Sequence, residues 1–349
     1  MTSRLAVLVL LLASTSSGMA AQPASGACRW AGIHATVLTP WSCSCQGVDE
    51  QALAEQIDFQ LCNGVNGLLV LGTIGEGAHA THGEREQVIR VAVERARGCV
   101  PVVVGIHTCD ADAALMQISQ ARELGAQAAL VKYAGRPSAC FAEVYSFYQS
   151  LAAARCLPIF YYHYPAQTGL KLTPIEVAQI LRLPGMVGIK ESTLDLKELQ
   201  THRALTGDRD LAFLSGTALN LTQFLDCGGH GAMCPEAVLL PARTAACYAA
   251  YRQGRPEEAR RIQKELFVVA PILRGGLATS GSTRAAVMGT QDLRLPLPMR
   301  SGHPQARLKF ALSLLGIRTS PLVKPELPQL GRLDQQRVLS AMPDIAARQ

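Results

Sequence analysis

The residues of this chain that could do chemistry begin with the stretch Met186-Val187-Gly188-Ile189-Lys190-Glu191-Ser192-Thr193. An apolar run ends in a lysine, followed by a carboxylate and two hydroxyls. The run is short, follows Pro184-Gly185 and contains β-branched residues, so it reads as a buried strand. A lysine at the end of such a strand is costly to keep charged, because desolvation favours the neutral amine and lowers its pKa. A neutral amine in an apolar pocket attacks ketones and forms a Schiff base. The plainer alternative has Lys190 reaching out of the strand end into solvent. Its surroundings decide between the two.

Two further stretches supply those surroundings. Tyr162-His163-Tyr164-Pro165-Ala166-Gln167-Thr168-Gly169 closes another apolar run, and a tyrosine there can relay protons to a neighbouring amine. Packing against the core is the commoner fate of a tyrosine in such a group. Gly72-Thr73-Ile74-Gly75-Glu76 closes a third run. Its glycines permit a tight turn whose backbone N–H groups suit a carboxylate, and Thr73 adds a hydroxyl. Of the chain's lysines, Lys132 and Lys190 alone fall at the end of a strand-like run, so Lys132 is the rival nucleophile. Lys190 is preferred because the tyrosine and the small Gly188 lie beside it.

These residues need a scaffold that brings strand ends together. Strand-like runs recur at 33–39, 67–72, 102–106, 128–133, 157–163, 186–190, 211–216 and 231–234, with helical patterns between them. Helices are expected over 49–61, 84–97, 112–124, 138–154, 173–183, 194–206 and 217–227. Eight strand–helix repeats indicate an α/β chain folded as a TIM (β/α)8 barrel, whose active face lies at the C-terminal ends of the strands. A doubly wound dinucleotide fold would carry a glycine-rich turn after its first strand, and Thr39-Pro40-Trp41 is not one. Helical patterns at 242–252, 257–273, 304–315 and 333–342 make a C-terminal helical subdomain, with a mixed stretch at 281–302. The barrel is assigned to 28–240, and the C-terminal helices and tail to 241–349.

Residues 1–21 differ in kind. Arg4 precedes the apolar stretch Leu5–Ala13, then small residues follow up to Ala21, as in an export signal cleaved near Ala21 or Gln22. The mature chain is expected outside the cytoplasm, periplasmic or secreted, with no membrane anchor after processing. The 11 cysteines, an odd number, leave at least one unpaired if others bridge there. Cys62, Cys99, Cys156 and Cys227 read as small packed hydrophobes. No CxxC pair, HExxH or histidine-rich run suggests a metal site. The formal charge of +6 is scattered, which gives no nucleic-acid stripe.

The three strand-end stretches, in this order and at these separations, resemble the motifs of the dihydrodipicolinate synthase / N-acetylneuraminate lyase family of class I Schiff-base aldolases. Leu214-Ser215-Gly216 and Gly228-Gly229-His230-Gly231 extend the likeness, which covers roughly residues 30 to 320. The resemblance implies that Lys190 forms the Schiff base with pyruvate or another 2-keto acid and that Tyr162 shuttles protons. It implies that Thr73 and the backbone of Ile74 hold the keto-acid carboxylate. Gly75, Gly216 and Met233 complete the expected substrate-binding set. It further implies an aldehyde as second substrate, no metal or other cofactor, and a homotetramer.

Three departures stand out. Ile74 occupies a place where the family often has a second hydroxyl. Gln167 stands where the synthases carry an arginine for the second substrate. Ala134 stands where they lend a tyrosine across the dimer interface, with Tyr133 one place earlier. The leading expectation is therefore a lyase or aldolase that reversibly cleaves or forms a C–C bond. The alternatives are 4-hydroxy-tetrahydrodipicolinate synthase proper, joining pyruvate to aspartate semialdehyde, and a keto-acid binding barrel without turnover.

Overall fold

A computed structural model of the chain describes residues 29–42, 47–274 and 303–349. The expected export signal and the mixed stretch 281–302 lie outside the described residues.

Eight parallel strands close into one barrel in sequence order. They are β1 Gly32–Thr36, β2 Gly67–Val70, β3 Val102–Thr108, β4 Ala128–Tyr133, β5 Ile159–His163, β6 Met186–Glu191, β7 Ala212–Ser215 and β8 Gly231–Cys234. Each expected strand is present. Alternate residues of each strand face opposite sides. Leu69, Val103, Leu130, Phe160, Tyr162, Ala212, Leu214 and Met233 fill the interior. Val70, Val104, Val131, Tyr161, Ile189 and Phe213 pack under the surrounding helices. Trp30 joins the interior cluster and packs edge-on against Phe160 at 5.3 Å between ring centroids. It precedes β1, so it fills the barrel at the end where the strands begin.

The helices of the barrel wall are α1 Glu50–Cys62, α2 His82–Ala96, α3 Ala111–Glu123, α4 Phe141–Ala154, a short α5 Pro165–Thr168, α6 Pro174–Leu181, α7 Leu196–Thr206 and α8 Leu221–Asp226. Side chains of Asp49, Thr81, Asp110, Thr173 and Asp195 accept from the first-turn N–H groups of five of them, which fixes where those helices begin. The spacing predicts α7 from Leu194, but Leu194 sits at φ 64°, a left-handed conformation outside any helix. Asp195 caps instead. The helix expected from Thr217 starts at Leu221, because Glu236 holds the intervening turn: it accepts from Thr217 Oγ1 and, at 3.0 Å, from Ala218 N.

Beyond the barrel come α9 Glu236–Leu239, α10 Pro241–Arg252, α11 Pro256–Glu265, a 3₁₀ turn Leu266–Val269, α12 Ala270–Arg274, α13 Gln305–Leu314 and α14 Arg332–Ala346. The single helix expected over 257–273 is broken at the 3₁₀ turn. Pro271 has no N–H to continue an α-helical ladder there. The C-terminal helices are tied to the turn that follows β2. Gln305 Nε2 donates to Thr73 O at 3.0 Å, and Lys309 Nζ reaches Glu76 Oε1 at 2.5 Å. Trp41 Nε1 and the backbone N–H of Lys324 both donate to Glu76 Oε2. Among the described residues, no helix is long and apolar enough to cross a membrane.

Candidate active site

Lys190 lies on β6, in register with Tyr162 on β5 and Leu214 on β7. Strand parity turns all three into the barrel. Lys190 is buried, 5% exposed, in an interior lined by apolar side chains that include Phe160 and Leu214. Burial drives its pKa down to about 8, and the nearby Cys234 thiol and Glu236 carboxylate only partly oppose this. The outward-pointing alternative for Lys190 is thereby excluded.

The Lys190 Nζ stands 4.6 Å from the centroid of the Tyr162 ring. Burial pushes the phenol pKa up to about 12, against the pull of the Thr73 and Ser192 hydroxyls. The phenol is thus neutral at ordinary pH and able both to donate and to accept. Tyr164 stacks on it, with centroids 5.8 Å apart and planes 22° from parallel. Thr73 Oγ1 is buried and makes no well-aligned hydrogen bond, although it lies near enough to Tyr162 to ease its ionisation. A buried hydroxyl without a good partner is a ready donor for a ligand oxygen.

The turn after β2 has the shape the glycines suggest. A side chain on Gly75 would come within 2.7 Å of Val37 O, so only glycine lets the turn fold back on β1. The Ile74 side chain packs on the core outside the barrel. The N–H groups of Ile74 and Gly75 take no acceptor among the described residues. Gly216 follows β7, and a Cβ there would meet Ser192 Oγ at 2.2 Å. Met233 is fully buried in the same interior cluster as Tyr162.

Lys132 is also in the interior. The β4–β5 register, with Val131 opposite Tyr161, sets it beside Tyr162 on the side away from Lys190. Its Nζ is 6.0 Å from the Tyr162 centroid and donates to Gln167 Oε1 at 2.9 Å. Burial and the Lys190 charge lower its pKa to about 8. Both candidate amines therefore flank the phenol; Lys190 is the closer, and Lys132 is engaged by Gln167. Tyr133 faces outward and packs edge-on against Phe147, while Ala134 is exposed.

The expectation for the cysteines holds in part. Among the described cysteines, Cys156 and Cys227 pack half-buried against the core, Cys62 and Cys99 are exposed rather than packed, and Cys234 and Cys247 are buried. No disulfide joins two described cysteines.

Sequence spacing does not single out Ser192, which becomes a neighbour of Tyr162 only when strand ends converge, or Tyr164, which stacks on Tyr162 from two residues along. It also separates His163, Glu198 and His202, whose side chains come together behind β5 and β6. The Glu198–His202 spacing of four on one helix was the available cue.

Comparison with known proteins places the chain. Residues 29–320 match the model of the dihydrodipicolinate synthetase family. The 4-hydroxy-tetrahydrodipicolinate synthase of Hyphomonas neptunium is 32% identical over 279 residues, covering 78% of this chain and 94% of that protein. The corresponding synthase of Nitratidesulfovibrio vulgaris (strain DP4) is 31% identical over 298 residues, covering 83% of this chain and 99% of that protein. In fold, the chain superposes on a prophage protein of Escherichia coli K12, solved in complex with pyruvate, with a TM-score of 0.77 at 22% identity. That match covers 91% of this chain and 99% of the other. The chain therefore belongs to the dihydrodipicolinate synthetase family of Schiff-base lyases.

Proposed function

We propose that Lys190 condenses with the ketone of pyruvate or a closely related 2-keto acid, and that the resulting iminium serves to break or form a C–C bond to an aldehyde. The observation that carries this reading is a buried, pKa-lowered amine against a buried neutral phenol. At a pKa of about 8, about one amine in ten is neutral at pH 7, against roughly one in three thousand for an ordinary lysine.

The amine attacks C2 and the carbinolamine loses water, which leaves a positively charged iminium. That charge draws electrons from the C3–C4 bond in cleavage, or from a C3–H bond in condensation. Tyr162 is the group placed to take and return the protons. Thr73 Oγ1 and the Ile74 and Gly75 N–H groups are suited to the keto-acid carboxylate.

The relatives' names favour 4-hydroxy-tetrahydrodipicolinate synthase as the specific reaction. Gln167 and Ala134 weigh toward another aldehyde, since neither supplies what the synthases use at those places. Borohydride reduction in the presence of pyruvate tests the shared chemistry: a stable adduct is expected on Lys190, and its survival in Lys190→Ala would reject the assignment. Turnover with pyruvate plus aspartate semialdehyde, set beside pyruvate release from a panel of aldol adducts, then decides the reaction. The non-catalytic alternative predicts pyruvate binding without exchange of methyl protons into deuterated water.

Export follows from the leader-like residues 1–21, and the mature protein is read as extracytoplasmic. N-terminal sequencing of the secreted protein should begin near Ala21 or Gln22. A homotetramer is the assembly the family resemblance supports, and light scattering should return about four chain masses.

A further inference from the structure

Behind the reacting pair, on the opposite face of the same two strands, lies a second cluster of chemical groups. Tyr162 and Lys190 form one rung of the β5–β6 ladder, and His163 and Glu191 form the next. Parity turns His163 and Glu191 away from the barrel interior, toward α7. There they meet Glu198 and His202, one turn apart on that helix. His163 Nε2 is 3.0 Å from Glu198 Oε1, and His202 Nε2 is 3.9 Å from the same oxygen. One ligand atom from each of His163, Glu198 and His202 can be chosen so that all lie within 4.8 Å of one another.

His202 is the telling residue. It is completely buried, yet neither ring nitrogen makes a well-directed hydrogen bond. Its Nδ1 lies 3.3 Å from Glu191 Oε2, an oxygen that is itself buried without a hydrogen bond. Buried polar atoms are rarely left in this state. An ordinary His163–Glu198 pair accounts for His163, and Glu191 approaches only the Nδ1 of His202, so the buried Nε2 of His202 is left without a hydrogen-bond partner.

We propose that His163 Nε2, Glu198 and His202 Nε2 bind a divalent transition-metal ion of the Zn2+ class, with Glu191 orienting His202 through Nδ1. Two imidazoles and one carboxylate suit Zn2+ and its neighbours, whereas Mg2+ and Ca2+ favour all-oxygen sets. Tetrahedral bonds of about 2.0–2.1 Å put ligand atoms roughly 3.3 Å apart, a value between the 3.0 and 3.9 Å separations of the Glu198 oxygen from the two imidazoles, which themselves lie within 4.8 Å of each other. A carboxylate on the far nitrogen of a metal-bound histidine is the usual supporting arrangement, and Glu191 is in place for it. Glu198 retains 20% exposure, which gives the ion an entrance and a fourth position for water. The ion would tie β5, β6 and α7 together one residue behind Tyr162 and Lys190. The site stands whether or not the Schiff-base reading holds.

The test uses the full chain, stripped with chelator, and Zn2+ or Co2+ as probe. Wild type should bind one Zn2+ per chain outside its thiols and gain thermal stability on binding. Co2+ should give visible d–d bands without the near-ultraviolet band of thiolate ligation, which separates this site from the exposed cysteines. Glu198→Gln should weaken binding by about tenfold or more and abolish the thermal gain. If that variant does not fold, His163→Asn carries the same expectation. Equal affinity in wild type and variant, a thiolate band, or no binding would each overturn the site.

Discussion

The Nζ of Lys190 stands 4.6 Å from the centre of the Tyr162 ring, across a direct β5–β6 register pair. This contact makes the amine's protonation state the first quantity to measure. Lys190 reacts only when neutral, so kcat/KM should climb with pH through an apparent pKa near 8 and level above it. Lys132 titrates in the same range, so the observed value belongs to the pair until Lys132→Met separates them. Stability should follow. Between pH 8 and 10.5 the unfolded chain holds a proton on Lys190 that the native chain has released, so stability rises with pH across that window. The shift from 10.5 to about 8 corresponds to roughly 3 kcal/mol. Above pH 10 the sign reverses for Tyr162, because the native phenol keeps its proton up to about 12. Urea midpoints at pH 7, 10 and 11.5 should trace a rise and then a fall.

Tyr162→Phe keeps the ring and its stack on Tyr164 but removes the oxygen that moves protons. Borohydride trapping of pyruvate should still mark Lys190, only more slowly. Turnover should drop by about 10²–10⁴-fold, with a much smaller change in KM. An unchanged kcat would remove the phenol from the proton path.

The barrel was legible because its strands are near-continuous apolar runs, the form that burial on both faces imposes. Lys190, Tyr162 and Thr73 were legible because each ends such a run, and strand ends converge in this fold. Register was not. Nothing in the order of residues says that Lys132 stands beside Tyr162, or that Gln167 will reach back to it from α5. The C-terminal contacts were equally hidden. Lys309 looks like a surface charge on an ordinary helix, and only the closed structure reveals that it is completely buried.

The Lys132–Gln167 pair should decide which aldehyde the site accepts. Its ammonium is buried near the mouth and faces the phenol from the side opposite Lys190, so an anionic or strongly polar acceptor is favoured there. Lys132→Met should leave the pyruvate adduct on Lys190 intact, which also settles the question of the rival nucleophile. The same variant should lose about ten- to a hundredfold in kcat/KM for acceptors that carry a carboxylate, and far less for neutral ones. Equal losses on both kinds of aldehyde would assign Lys132 to packing rather than selection.

Glu76 and Lys309 are both fully buried, and their ion pair fastens α13 to the turn that follows β2. Glu76 also accepts from Trp41 Nε1 and from the Lys324 backbone, and its own backbone sits at φ 58°. Removing Lys309 would strand a carboxylate in the interior. Lys309→Met should therefore cost about 3–5 kcal/mol, visible as a lowered urea midpoint with unchanged slope. Glu76→Gln added to Lys309→Met should recover part of that loss, since no bare charge then remains. The turn that carries Thr73, Ile74 and Gly75 hangs on this anchor, so the single variant should also bind 2-keto acids more weakly, raising KM more than it lowers kcat. A variant that loses stability while keeping its KM would separate the anchor from the carboxylate-binding turn.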